Sequence, residues 1–350
     1  MRRILTAAAV AIGLATATAA AAPAPAHAQS AADQRFMREA NIWLEQAARW
    51  SAPYGEVLGQ TYELLAALSE GALKAQEFAE RGDTRAGKAW AEPWAAEQRA
   101  KLGALKARLQ SLSPTPPPAK GPGYDLTNMD GMRDLQRMFT EMPKGAQAQV
   151  ALAETLMGRY LDLTVRAASG DEAAAEQIAP AYFDLQIAML RSEISMYEAY
   201  LPTMDARGSP QGDLIRAGAQ VNLAFIAVYE LVAADLRGQG GDRAAVARTV
   251  RASADGIESR LRTTQQRVDR VLGELPPGEL KTKMAAISTS IAETVKAYRV
   301  LAGQLRTTAA EVERGDRFDA EAVLASMEAM VPTLERIIEL DKQRRGAIAR

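Results

Sequence analysis

The 350-residue chain contains no cysteine and one histidine, His27. Without thiols there can be no disulfide, no thiolate nucleophile and no thiolate metal site. Beyond position 27 there is no imidazole, so zinc, haem and copper lose their ordinary nitrogen ligand and a histidine acid–base relay has no carrier. Neither Gly-x-Ser-x-Gly nor Ser-x-x-Lys occurs, which removes the usual signatures of serine nucleophiles. Two carboxylates distant in sequence could still meet in space and hydrolyse a glycoside, but no pair stands out. The residue inventory therefore predicts no catalytic residue, no metal and no cofactor. It points away from an enzyme.

An excess of either charge is also missing. Lys and Arg number 42 against 43 Asp and Glu, a net charge of −1. Loss of Arg2 and Arg3 would leave 40 against 43, or −3. Such a balance gives no electrostatic footprint for nucleic acid or an acidic membrane. Hydrophobic residues make up 48% of the chain, enough for one large core or two modest ones.

What is present begins with a targeting pattern. Arg2 and Arg3 precede an apolar Ile4 to Ala20, and Ala26-His27-Ala28 follows. That order of basic, apolar and small residues reads as a secretory signal peptide over 1–28, cleaved after Ala28. A retained anchor is the other reading of the same segment. The apolar run is short and broken by Pro23 and Pro25, which favours cleavage and a periplasmic protein with no further integral membrane segment.

From residue 29 onward the periodicity is helical throughout, and it predicts an all-α fold. Phe36, Ala40, Trp43, Ala47, Trp50, Tyr54, Val57, Thr61, Leu64 and Leu68 recur at spacings of four and three, the mark of one buried helical face. Pro53 falls inside that stripe as a kink or as a restart capped by Ser51. Four Gly-Asp pairs, at Gly82-Asp83, Gly170-Asp171, Gly241-Asp242 and Gly315-Asp316, each separate two long amphipathic runs. Glycine ends a helix in the left-handed region and aspartate caps the next. The expectation is thus about four antiparallel helical hairpins forming one or two up-down bundles.

The boundaries follow from punctuation. Residues 29–113 hold the first hairpin and all four tryptophans. Residues 114–124, with Pro114, Pro116, Pro117, Pro118 and Pro122, form a linker that should be neither helix nor sheet. Residues 125–203 hold a short Met-rich helix, Asp130 to Met142, and the second hairpin, which begins at Gln147. Residues 211–350 contain four amphipathic runs, enough to close a four-helix bundle. Val221 to Leu236 within it reads as a helix buried on most sides and too short and charged to span a bilayer. The run that follows carries a coiled-coil-like seam, Val250, Ala254, Ile257, Leu261, Thr264, Val268, Val271 and Leu275.

Several motifs have competing explanations. Gly82-x-x-x-x-Gly87-Lys88-Ala89 approaches a phosphate loop, yet Ala89 replaces the hydroxyl that binds magnesium and no strand precedes it. Arg81-Gly82-Asp83 and Arg314-Gly315-Asp316 spell an adhesion tripeptide, but the recurring element is the Gly-Asp turn. Asn128-Met129-Asp130-Gly131 resembles part of a calcium loop, with Leu126 and Arg137 where carboxylates should stand. Glu230 and Asn222, eight residues apart, could form a buried polar site, unless the carboxylate is solvated or salt-bridged.

Two surfaces are candidates for function. Trp43, Trp50, Tyr54, Trp90 and Trp94 could line a pocket for a flat or cationic small molecule, against the alternative that they are bundle core. Met132, Leu135, Met138 and Phe139 would present an apolar face to a protein partner in the cell envelope. The first expectation is a non-enzymatic helical bundle working through protein–protein contact. A small-molecule binding module built on the aromatic group is the alternative.

Overall fold

The computed structural model describes residues 31–121, 124–125, 130–205, 210–274 and 279–348. The signal-peptide expectation for 1–28 and most of the calcium-like loop, Asn128 and Met129 included, lie outside them. The described chain is an all-α helical bundle. Its helices are α1 (Ala31–Arg81), α2 (Thr84–Ser111), α3 (Asp130–Ala168), α4 (Glu172–Asp205), α5 (Pro210–Leu236), α6 (Arg243–Glu274), α7 (Glu279–Glu313), α8 (Ala320–Glu328) and α9 (Val331–Ile348).

Pro53 does not restart a helix, and Pro143 falls inside one. α1 runs for 51 residues through Pro53, and Ser51 donates to the carbonyl of Ala48 at 3.2 Å rather than capping a new helix. Buried Trp43, Ala47, Tyr54 and Val57 flank the proline in one helical register, so packing on both sides overrides the local penalty. The Met-rich helix likewise does not stop at Met142. It continues through Pro143 as the 39-residue α3, because Phe139, Met142, Ala146, Val150 and Ala153 form one unbroken buried stripe.

The turns show how local chemistry sets the chain reversals. Gly82 (φ 65°) and Gly170 (φ 90°) end α1 and α3 in the left-handed region. The amides of Asp83 and Asp171 return to the carbonyls of Phe78 and Arg166, which closes the last turn. Both aspartates then accept from the amide three residues on, Ala86 at 3.2 Å and Ala174 at 3.0 Å. The third reversal reaches the same end by a longer path. There Gly238 (φ 67°) and Gly240 (φ 65°) take the left-handed conformation and Gly241 does not, while Asp242 still caps through Ala245. In the fourth, Gly315 (φ 66°) ends α7, but Asp319, not Asp316, is the cap and accepts from Ala322 at 2.9 Å. The run after it also breaks between α8 and α9, since Pro332, in the first turn of α9, brings no amide to continue the ladder of α8.

Assembly differs between the two halves. α1 to α4 form a closed ring in which α1 packs on α2, α3 and α4, and α3 on α2 and α4. α5 then lies between α4 and α6, α6 against α7, and α8 and α9 along α7. Among the described residues no contact of comparable extent returns from α8 or α9 to α5, so α5 to α9 follow one another as an open succession. The seam expected on α6 is buried from Val250 to Val268, and the side chains of Val271 and Leu275 lie outside those described. Residues 113–119 cross the surface of α1, and Lys120–Gly121 pairs antiparallel with Tyr124–Asp125, a minimal β-ladder where neither helix nor sheet was expected.

Candidate functional site

The five aromatic residues do not line one pocket. They divide into two groups, Trp43, Trp50 and Tyr54 on α1 and Trp90 and Trp94 on α2, where Trp94 packs over Gly71 of α1; Trp50 and Gly71 are 21 positions apart, roughly 30 Å of helix. The first group is Trp43, Trp50 and Tyr54, packed with Phe139 of α3. Trp43 and Trp50 meet the Phe139 ring edge-on at 5.6 and 6.0 Å, and Trp50 lies 5.1 Å from Tyr54. Their polar atoms face the proline-rich segment. Trp43 Nε1 donates to the Pro117 carbonyl at 3.2 Å, while Trp50 Nε1 and the Tyr54 hydroxyl both donate to that of Ser113 at 2.9 Å. Burial pushes the Tyr54 phenol above its ordinary pKa, which keeps it a donor. With Trp43 fully buried and its rings and donors engaged, this group is core that fastens residues 113–119 to α1.

The second group borders a groove. Trp90 and Trp94, one turn apart on α2, stack at 5.3 Å, and Phe78 of α1 stacks on Trp90 at 5.6 Å. Lys74 Nζ sits 4.7 Å from the centre of the Trp90 ring, a cation–π contact. Gly71 makes the arrangement possible, because a Cβ there would overlap the Trp94 ring. An open groove of about 580 Å³ is lined by Leu73, Lys74, Glu70, Glu77 and Glu80 of α1 with Trp90 and Trp94 of α2. Three carboxylates and one ammonium around half-buried rings give it an acidic, aromatic wall.

Phe139 of the second candidate surface is only 7% exposed and belongs to the core. The side chains of Met132, Leu135 and Met138 lie outside those described. Gly82 and Gly87 form no phosphate cradle. Gly82 is the turn glycine, and Gly87 is buried where a Cβ would overlap the Ala168 carbonyl oxygen. A Cβ on Gly170 would overlap the Thr84 methyl, so the α1–α2 and α3–α4 turns nest against each other. Lys88 instead faces Glu92 at 3.7 Å.

Glu230 and Asn222 do not share a site. Glu230 is exposed and bonded to Arg191 of α4. Asn222 is buried and donates to a different carboxylate, Glu193 of α4, at 2.9 Å, while Tyr197 donates to the other oxygen at 2.7 Å. Glu193 is 1% exposed. Burial raises its pKa from 4.5 to about 7 against the opposing pull of these two hydrogen bonds, and burial together with the neighbouring carboxylate drives the Tyr197 phenol well above its ordinary range. The sequence signal is Glu193-x-x-x-Tyr197, one helical turn apart, in a stretch that also carries Arg191, Ser192, Ser195 and Glu198. A second buried carboxylate, Asp213, accepts from Thr264 at 2.9 Å and Arg267 at 3.1 Å across the α5–α6 seam.

Among the described residues no group of three or more His, Cys, Asp or Glu converges as a metal site. Gly212–Leu236 is by length and composition apolar enough to cross a bilayer. The apolar run is longer than the Val221–Leu236 read from sequence, and most of it is buried against α4 and α6. Comparison with protein-family models, curated proteins and solved structures gives no match.

Proposed function

We propose that this is an exported, non-catalytic helical protein of the cell envelope that acts by binding a protein partner, and that the α1–α2 groove receives it. The observation that carries the reading is the conjunction of stacked Trp90 and Trp94 with Glu70, Glu77 and Glu80 in an open groove. From Ala67 to Glu80 the groove follows roughly 20 Å of α1, a length suited to a short peptide segment. Carboxylates beside aromatic faces favour basic side chains, and Lys74 over Trp90 already displays the contact in miniature. Export is supported by Arg2-Arg3, the apolar run and Ala26-His27-Ala28. The alternative, a free small organic cation in the same groove, draws on the same chemistry.

Titration of a Lys/Arg-rich peptide, an acidic peptide of equal length and tetramethylammonium, read by tryptophan emission, separates these readings. The basic peptide should shift the emission, and Glu70→Gln with Glu77→Gln should weaken binding about tenfold, on the order of 1.4 kcal/mol. A response to tetramethylammonium alone would favour the small-molecule reading. No response to either cation would leave the aromatic stack as a strut between two helices.

A further inference from the structure

Glu193 is a buried carboxylate whose two oxygens are both held by neutral donors, and it lies where the N-terminal ring meets α5. Tyr197 and Asn222 supply those donors. From the other elements, Tyr62 of α1 and Tyr298 of α7 act electrostatically on Tyr197. Tyr62 also points its hydroxyl at the Met196 sulfur, 3.9 Å away, and Tyr298 lies beside Gly218 of α5. α3 contributes Gln149, bonded to Ser192. The charged pair Arg191–Glu230 bridges the same two helices on the exposed side. None of the groups acting on Glu193 is cationic, so an ionised carboxylate there has hydrogen bonds but no counter-charge.

We infer that Glu193, Tyr197 and Asn222 form a proton-binding latch on the α4–α5 seam, closed when Glu193 is protonated and loosened when it ionises. A neutral carboxyl keeps both neighbours, accepting from one and exchanging donor and acceptor roles with the other. An anion must be held in an apolar joint by two neutral donors alone.

The direction of the pH effect follows from burial. A carboxyl whose folded pKa lies above its unfolded value binds its proton more tightly when folded. The stabilisation is fully present below the ordinary value of 4.5 and is lost as pH rises through about 7. The seam should therefore be tightest in mildly acid medium and loosest above neutrality.

Infrared difference spectroscopy on the full chain tests the latch directly. A protonated-carboxyl C=O band should titrate near neutral pH, vanish in Glu193→Gln, and move to higher pH in Tyr197→Phe, which removes a donor to the anion. Hydrogen exchange in α4 and α5 should accelerate severalfold from pH 6 to pH 8, beyond the intrinsic rate change, and Glu193→Gln should abolish that excess. If Glu193→Gln fails to fold, the wild-type and Tyr197→Phe titrations decide. No carboxyl band surviving above pH 5, or exchange in α4 and α5 that follows only the intrinsic rate, would overturn the proposal.

Discussion

The N-terminal ring and the C-terminal succession solve the same problem, burying long helices, with different side chains. All four tryptophans lie in the ring, and its far core is built from large pieces: Trp43, Tyr54, Tyr62, Phe139, Met142, Tyr160 and Leu161. Between α6 and α7 the buried positions include Ala247, Val250, Ala254 and Ile257 facing Leu301, Ala302, Leu305 and Ala309. Small residues bring those two helices close, and arginines lace the outside: Arg306 bonds Glu258 and Asp255, each at 2.7 Å, and Arg251 grips Glu313. Arg243 supplies the missing donors at the end of α7, bonding the carbonyls of Val312, Arg314 and Gly315.

This contrast sets the largest expected effects. Trp43→Ala removes a fully buried ring, its edge contact with Phe139 and the donor to Pro117, and should cost about 3–5 kcal/mol. Leu301→Ala opens a cavity in the other core, at about 2–5 kcal/mol. Site-resolved hydrogen exchange would distinguish them. Trp43→Ala should expose α1 and α3 around Phe139 and leave α6 and α7 protected, and Leu301→Ala should do the reverse. Equal loss of protection throughout both variants would show that the two regions unfold as one unit.

A smaller effect probes how tightly the ring is wound. Gly87→Ala places a methyl against the Ala168 carbonyl, and that neighbour is backbone, which cannot rotate away. Overpacking of this kind should cost about 1–3 kcal/mol, measured by urea denaturation. Gly103→Ala, at a position with open space around it, should instead be neutral or slightly stabilising, since alanine favours helix more than glycine does.

Much of this architecture is legible in the sequence, and what is not has physical causes. Helical periodicity, the left-handed glycines at 82, 170 and 315, and the caps Asp83, Asp171 and Asp242 are local properties, and local chemistry fixes them. The restart at Pro53 and the helix end at Met142 are not found because the penalty of a proline is local, while the buried stripes that overrule it run on past both sites. Ring closure depends on which helices meet after the chain has turned, which no spacing encodes. The candidate site was half legible. Trp90 and Trp94 do border a groove, but Trp43, Trp50 and Tyr54 spend their polar atoms on the Ser113 and Pro117 carbonyls, and the spacing of Glu193 does not tell that its carboxylate is buried.

The smallest effect tests the turn whose Gly-Asp aspartate is not the cap. Gly315-Asp316 repeats the dipeptide of the earlier reversals, yet the amide of Ala322 is satisfied by Asp319. A cap is defined by reach: its carboxylate must meet the amide three residues on, and α8 begins at Ala320. Asp319→Ala should therefore destabilise the α7–α8 reversal by about 1 kcal/mol, while Asp316→Ala should change stability by less than about 0.5 kcal/mol, as for an ordinary surface position. Paired urea titrations of the two variants decide it. A larger loss from Asp316→Ala would mean that the Gly-Asp dipeptide itself, rather than cap geometry, organises the last reversal, and would bring the C-terminal turn back into line with those of the ring.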